Sequence, residues 1–180
     1  IKIVFQTRKA EEIVTSVRSY AKEQKLKKSP LSVNEVVTEA VKDFTSTLQD
    51  YPLQIEFEED PRSPICSLAP LEFELAVFNL LKNAKEALKA QKADEPKLFI
   101  KLSSSETHCF VDISDNGAVI SDSDFERMGS VFKSGKASGL GIGLSIVRSI
   151  VQNHNGSLVL ERGKNGGLVC RIRLPILNTE

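Results

Sequence analysis

Apolar residues at helical spacing mark the first part of the chain. Charged residues separate these apolar positions, which are Ala10, Ile13, Val17 and Tyr20. The spacing predicts one amphipathic helix from Ile1 to about Gln24. The polar segment KEQKLKKSP then breaks the pattern, and its proline cannot continue a helix, so we predict a linker near Lys25–Pro30. The chain therefore divides into a helical segment with its linker, residues 1–28, and a compact domain, residues 29–180.

Helical and strand patterns follow one another irregularly in the compact domain. Ser32 or Asn34 is suited to cap a helix that runs through VVTEAVKDFTSTLQ. Strand patterns occur in LQIEFEED, KLFIKLS and HCFVDIS, and SLVLERGKNGGLVCRIRLPI has the pattern of a hairpin with a glycine-rich turn. Two further helices are predicted at Leu71 to Ala90 and at Ile142 to about His154. These elements predict a two-layer α/β sandwich, with a mixed sheet and helices on one of its faces.

The overall composition gives no support for some classes of partner. The 180 residues include 24 basic and 24 acidic side chains, so no net charge favours nucleic acid or an anionic membrane as a partner. No apolar run approaches the roughly 20 residues needed to cross a bilayer. The three widely spaced cysteines are typical of core residues in a reducing compartment. We therefore expect a cytoplasmic domain without direct membrane contact, and a fragment of a longer protein, because its first residue stands within a helical pattern.

The predicted helix from Leu71 to Ala90 carries a polar stripe beside its apolar face. The stripe consists of Glu72, Asn79, Asn83 and Glu86, at three-, four- and seven-residue spacings. Asparagine is unfavourable in the middle of a helix, so two of them there indicate a function that offsets the cost. An amide oxygen is a hard, neutral ligand that suits magnesium, whose other ligands are water and nucleotide phosphates. A solvated polar face explains the same stripe equally well.

A second candidate is the turn Asp115-Asn116-Gly117 at the end of a predicted strand. A buried carboxylate at this place can accept a hydrogen bond from the exocyclic amine of adenine, and it would reject guanine, which has a carbonyl there. Taken alone, a motif of this kind is most often only a turn.

Three alternating glycines, Gly139, Gly141 and Gly143, directly precede an apolar helix in the segment SGLGIGLSIVRSIV. Backbone N–H groups in such a segment can approach an anion closely, and the start of the helix adds the positive end of its dipole. The pattern therefore predicts phosphate binding. It is not the dinucleotide-binding fingerprint, because the third glycine comes one residue early, and it is not a P-loop, because Ala137 stands where Ser or Thr would hold magnesium.

The segment FERMGSVFKSGKAS lies between the Asp-Asn-Gly turn and these glycines. Its two phenylalanines, Phe125 and Phe132, are expected to anchor it by packing. Lys136 is a cation close to the glycines and is suited to neutralising a terminal phosphate. An exposed loop lysine is an equally good interpretation of Lys136 taken alone.

The order of these motifs is more specific than any one of them. NLLKNAKEA, DNG, VFKSGK and GLGIGLSIV follow one another within about 70 residues. This order resembles the asparagine box, first glycine box, phenylalanine box and second glycine box of the ATP-binding catalytic domain of sensor histidine kinases. The resemblance covers roughly Leu31 to Pro175. It implies the Bergerat fold, an α/β sandwich that binds ATP and Mg²⁺ beneath a flexible lid.

The resemblance also implies a role for each matching residue. Asn83 corresponds to the magnesium ligand, Asn79 to a residue beside the phosphates and Asp115 to the acceptor of the adenine amine. Asn79, Asn83 and Lys136 are the expected catalytic residues. The remaining nucleotide contacts expected from the resemblance are Glu86, Gly117, Ile120, Phe132, Ser134, Gly139, Leu140, Gly141, Gly143 and Leu144. The helix Ile1 to Gln24 is similar to the end of the family's dimerisation and phosphoacceptor hairpin.

The sequence departs from the family pattern at three places. Val119 stands where the first glycine box usually has another glycine, and Glu86 and Ala87 stand where a basic and an aromatic residue often follow the asparagine box. Leu168 and Val169 occupy positions where a threonine near the adenine is common. The contacts on the adenine side are therefore the ones that the resemblance predicts least directly.

The residue at position 79 distinguishes a kinase from a hydrolase of the same fold, and in this chain it is Asn79. The resembling ATPases have a glutamate four residues before the magnesium asparagine, where it activates water as a general base. An amide cannot accept the proton, so the γ-phosphoryl is expected to wait for another nucleophile. The resemblance implies that this is a histidine on the hairpin helix, outside this chain, because neither His108 nor His154 has the sequence context of that residue.

The partners that the resemblance implies are ATP, the receiver domain of a response regulator, and a second copy of the chain bound through the N-terminal hairpin. The apolar residues of the N-terminal helix could equally pack back on the domain. Two alternatives remain open at the level of the sequence. One is an ATP hydrolase of the same fold. The other is a degenerate nucleotide-binding or dimerisation module, which Val119 favours.

Overall fold

The computed structural model describes residues 27–49, 51–126, 128 and 141–177, with the side chains of residues 141 and 142 left out. The helix predicted at Ile1 to Gln24 lies outside these residues. The described residues include the helices Val33–Ser46 (α1), Pro70–Ala90 (α2) and Gly141–Asn153 (α3). Seven strands are Ser29–Ser32 (β1), Gln54–Glu58 (β2), Ile65–Leu68 (β3), Lys97–Ser104 (β4), His108–Asp115 (β5), Ser157–Arg162 (β6) and Leu168–Pro175 (β7). Within the described ranges, no helix combines the length and the apolar character that a membrane span requires.

The strands form two sheets. The larger sheet has the strand order β2-β4-β5-β7-β6, in which β2 and β4 are parallel and the other neighbours are antiparallel. The smaller sheet pairs β1 with β3. This mixed sheet and its helices confirm the predicted two-layer α/β sandwich of the Bergerat type.

The core lies between the larger sheet and the helices. Alternate residues of the central strands are buried, and the sheet register places them in rows, such as Ile100 beside Ile113 and Ile113 beside Cys170. The helices cover this face with buried apolar side chains, among them Phe44, Val77, Leu81, Val147 and Val151. Since strand side chains alternate between the two faces, the residues between the buried ones point away from the helices.

Ser32, one of the two predicted caps, is the N-cap of helix α1. The Ser32 side chain accepts from the Glu35 N–H at 3.5 Å, and Ser32 has extended backbone angles. Asn34 is not a cap. It lies inside the helix, where its Nδ2 group donates to the Asp60 carbonyl at 2.9 Å.

The short strands β1 and β3 were not predicted. Ser29 and Pro30, which the sequence assigned to the linker, are the first two residues of β1. Proline lacks an N–H group, and it is tolerated here because β1 is one strand of a two-stranded sheet. The four-residue strand is defined by its pairing of Ser29 with Leu68, which no local pattern encodes. A domain boundary at residue 28 stays a prediction.

Candidate nucleotide-binding site

Helix α2 brings its two asparagines against the start of α3. The Asn79 Nδ2 group donates to the Leu75 carbonyl at 2.8 Å. A Cβ atom built on Gly143 would lie 3.2 Å from the Asn83 Oδ1 atom and 3.7 Å from the Asn79 Oδ1 atom. The structure therefore places Asn79, Asn83 and Gly143 at one point, and a glycine in the third position keeps both amide oxygens free of a side chain.

The Asn83 amide is partly unpaired. Its Nδ2 group is buried and has no hydrogen-bond partner among the described residues, an arrangement that costs about 1–3 kcal/mol. Amide oxygens are neutral, hard donors of the kind that magnesium takes in small number beside phosphate oxygens. Asn79 and Asn83 therefore fit a magnesium ion that is also bound by a nucleotide.

The first N–H groups of α3 have no acceptors within their own helix. A helix that begins at Gly141 leaves the N–H groups of its first turn pointing outward, with the positive end of the helix dipole behind them. Gly143, in the first turn of α3, lies against the Asn79 and Asn83 side chains, so the start of this helix is next to both asparagines. It is a favourable place for a phosphate group beside the candidate magnesium site.

The Asp115 carboxylate lies at the C-terminal end of β5. Asp115 is 8% exposed, its Oδ1 atom accepts from the Gly117 N–H at 2.9 Å, and its Oδ2 atom accepts from the Leu168 N–H at 3.2 Å. Burial raises the pKa of Asp115, and the two hydrogen bonds act in the opposite direction. Each oxygen keeps a second lone pair, so the carboxylate presents acceptors in a fixed orientation.

The β6–β7 turn packs directly on this carboxylate. Gly167 has a φ of +71°, and a Cβ atom at this position would lie 2.0 Å from the Asp115 carbonyl oxygen. The Gly167 N–H donates to the Ala118 carbonyl at 3.0 Å. From the sequence, Gly167 and its neighbouring glycines were interpreted only as a hairpin turn. The hydrogen bond from the Leu168 N–H to Asp115 was missed, because a backbone donor leaves no sequence signal.

The profile of the family described as "Histidine kinase-, DNA gyrase B-, and HSP90-like ATPase" matches residues 69–178, more than half of the chain. The chain belongs to this family. The match begins one residue before α2 and contains Asn79, Asn83, Asp115 and α3, so this histidine kinase-like ATPase domain includes the whole candidate site.

Curated relatives of the chain include sensor proteins and kinases. The C4-dicarboxylate transport sensor protein DctS of Rhodobacter capsulatus is 27% identical over 97% of the chain, and the sensor protein FixL of Bradyrhizobium diazoefficiens is 26% identical over 94%. Sporulation kinase B of Bacillus subtilis is 26% identical over 93% of the chain. The chain spans 27%, 34% and 38% of the lengths of these three proteins.

Solved structures show the same fold. The catalytic domain of the histidine kinase ThkA has a TM-score of 0.69 at 24% identity, covering 82% of this chain and 95% of that domain. A ThkA structure in complex with the response regulator protein TrrA has a TM-score of 0.77 at 24% identity, covering 97% of this chain and 49% of ThkA.

The other predicted site residues differ in their exposure, and some lie outside the described residues. Glu86 is exposed on α2, whereas Ile120 and Leu144 are half-buried. Gly117 is buried beside Asp115, and Gly141 begins α3. The predicted contacts that lie outside the described residues are Phe132, Ser134, Lys136, Gly139 and Leu140. The roles assigned to all these residues stay predictions.

The two histidines of the domain lie away from the candidate site. His154 is buried, accepts from the Ala69 N–H through Nε2 at 3.0 Å, and makes a hydrogen bond from Nδ1 to the Ile150 carbonyl at 2.7 Å. His108 contacts Thr107 and Arg173 at the opposite end of β5 from Asp115. The seven residue steps of antiparallel strand from His108 to Asp115 correspond to about 24 Å.

Proposed function

We propose that this chain is the ATP-binding catalytic domain of a two-component sensor histidine kinase. It transfers the γ-phosphoryl group of ATP to a histidine outside this chain, for relay to a response regulator. The observation that carries the proposal is the cluster of Asn79, Asn83 and Gly143, where two amide oxygens lie beside the start of a helix. Its position within a domain whose curated relatives are sensor kinases supports the same function.

The proposed site extends along one side of α2. Asn83 and Asn79 would hold the magnesium ion and the water or phosphate oxygens around it, and the start of α3 would bind the phosphates. Asp115 would accept a hydrogen bond from the adenine amine, which selects ATP over GTP. From Asn83 to the end of α2 is about 10 Å at 1.5 Å per residue, so the phosphate and base ends of the site are separated by the length of this helix segment.

Asn79 favours phosphoryl transfer to a protein over hydrolysis. Magnesium, when bound, would neutralise charge on the phosphates during transfer. Asn79 cannot take a proton from water, and its Nδ2 group is already committed to the Leu75 carbonyl. Without a general base at this position, water is a poor nucleophile, and a positioned histidine from elsewhere is a better one.

Neither histidine of the chain fits the role of nucleophile. Both ring nitrogens of His154 are committed to backbone groups in the core. His108 lies beside the Arg173 guanidinium, at the far end of β5 from Asp115. The proposal therefore requires a phosphoacceptor histidine outside residues 1–180.

The partners follow from the same proposal. ThkA was solved in complex with the response regulator protein TrrA, and this chain covers about half of ThkA. We propose a response regulator as the partner of this protein too. We also propose that the segment 1–28 contributes to a homodimer and that the domain works in the cytoplasm.

A binding titration and a transfer assay test the proposal. Titration with a fluorescent ATP analogue should show saturable, magnesium-dependent binding, and Asn83→Ala should weaken it in magnesium far more than in EDTA. Labelled ATP with the histidine-bearing hairpin of a related kinase should give acid-labile protein label. Absence of magnesium-dependent binding would refute the assignment. Steady phosphate release without any hairpin would instead identify a hydrolase, the other activity that the family's description contains.

A further inference from the structure

Helix α2 ends in a closed turn that holds Gln91 in one orientation. The Ala93 N–H donates to the Leu88 carbonyl at 3.2 Å, and the Lys92 N–H donates to the Lys89 carbonyl at 3.3 Å. Lys92 has a φ of +51°, so the three residues form a Schellman motif with Gln91 as the C-cap. The backbone of Gln91 is therefore fixed relative to the helix that carries Asn79 and Asn83.

The Gln91 side chain reaches from this helix end to the Asp115 turn. Its Oε1 atom accepts from the Ala118 N–H at 2.7 Å. A Cβ atom built on Gly117 would lie 2.6 Å from Gln91 Oε1 and 2.7 Å from Asp115 Oδ1. The Gln91 oxygen and the Asp115 carboxylate therefore face the same side of Gly117, and any side chain there would separate them.

The β6–β7 hairpin also holds this turn. The Ala118 carbonyl accepts from the Gly167 N–H at 3.0 Å, while the Ala118 N–H donates to Gln91. Asp115 is joined to the same hairpin through the Leu168 N–H. The hairpin connects the turn to the sheet, whereas Gln91 connects it to α2.

We propose that Gln91 is a positioning residue for nucleobase recognition. Its side-chain acceptor ties the segment Asp115–Ala118 to the C-terminus of α2 and so sets the position of the Asp115 carboxylate relative to Asn79 and Asn83. One nucleotide must reach both groups, and an error in their separation weakens the contact at one of its ends. This inference rests on the proposed binding of ATP along α2.

Gln91→Met and Gln91→Glu separate the hydrogen bond from the packing. Methionine has nearly the length and shape of glutamine but is a poor acceptor, whereas glutamate keeps an acceptor at the same reach. Because Gln91 is exposed, water can replace part of the lost bond, so we expect Gln91→Met to weaken ATP binding by only about threefold to tenfold. The ATP-over-GTP preference should fall with it, and Gln91→Glu should retain more of both than Gln91→Met.

Gln152→Met is the matched control, because Gln152 is also an exposed glutamine at the C-terminal end of a helix. The unmodified chain, the two Gln91 variants, Gln152→Met and Asp115→Asn are titrated with a fluorescent ATP analogue in magnesium, with ATP and GTP as competitors, and their thermal midpoints are compared. Unchanged affinity and selectivity in Gln91→Met, while Asp115→Asn loses both, would overturn the positioning role and leave the ATP site intact. Equal losses in Gln91→Met and Gln152→Met would overturn it as well. Failure of the unmodified chain to bind ATP would refute the proposed function itself.

Discussion

Replacement of Asp115 by asparagine tests the base end of the site most directly. The carboxylate accepts from two backbone donors, the Gly117 N–H at 2.9 Å and the Leu168 N–H at 3.2 Å. Asparagine has one oxygen for these two donors, and its NH₂ group would face one of them. The variant also presents a donor where the proposed adenine amine needs an acceptor.

The size of the effect follows from the charge and burial of the group. Loss of a hydrogen bond to a charged acceptor costs about 1.5–3 kcal/mol, which corresponds to a 10- to 150-fold loss of ATP affinity. The loss of folding stability in Asp115→Asn should be smaller than the cost of leaving one backbone N–H group without an acceptor. Burial raises the pKa of Asp115 above its unfolded value of 3.8, so its ionisation reduces stability as pH rises through the raised pKa, and asparagine removes this penalty.

Asp112→Asn is the matched control for this experiment. Asp112 lies on the same strand but on the other face of the sheet, where Arg171 binds it at 2.7 Å through two nitrogens. We expect Asp112→Asn to leave ATP affinity within about twofold, since no contact to the site is lost. Competition titrations with ATP and GTP measure both variants. Asp115→Asn that binds ATP as tightly as the unmodified chain, or Asp112→Asn that loses as much, would refute the argument.

Three further predictions concern folding stability, measured by urea unfolding. Gly167→Ala should destabilise the domain by more than about 2 kcal/mol, because its Cβ atom would overlap the Asp115 carbonyl oxygen at a φ of +71°; a loss below 0.5 kcal/mol would contradict the geometry. Lys92→Gly should stabilise it by about 0.5–1 kcal/mol, because Lys92 has a left-handed backbone, with a φ of +51°; a loss of stability would show that the Lys92 side chain makes a compensating contact. Burial lowers the pKa of His154 below its unfolded value of 6.5, so the unfolded chain gains its proton first and stability should fall as pH decreases below 6.5. His154→Gln should flatten this dependence, and an equally steep profile in that variant would assign it to other groups.

The elements that the sequence predicted are those with a long periodic pattern. Helix α2 has apolar residues repeated over its 21 residues, and β5 alternates buried and half-buried positions along all eight of its residues. Strands β1 and β3 have four residues each, too few for a period to stand out. Their pairing, which includes Leu31 beside Cys66, is a long-range contact that only the folded chain reveals.

The candidate site was likewise predicted from the sequence only in part. The sequence by itself determined that Asn79 and Asn83 share a helical face, that glycines precede α3, and that an acidic turn follows β5, because each of these is a local pattern of side chains. The tertiary structure decided that Gly143 meets both asparagines, and that Gln91 and Gly167 both hold the Asp115 turn through hydrogen bonds to Ala118. These contacts join residues far apart in the chain, and several of them use backbone atoms that every residue possesses. Periodicity carries no information about such contacts, so they become visible only when packing of the helices on the sheet brings the segments together.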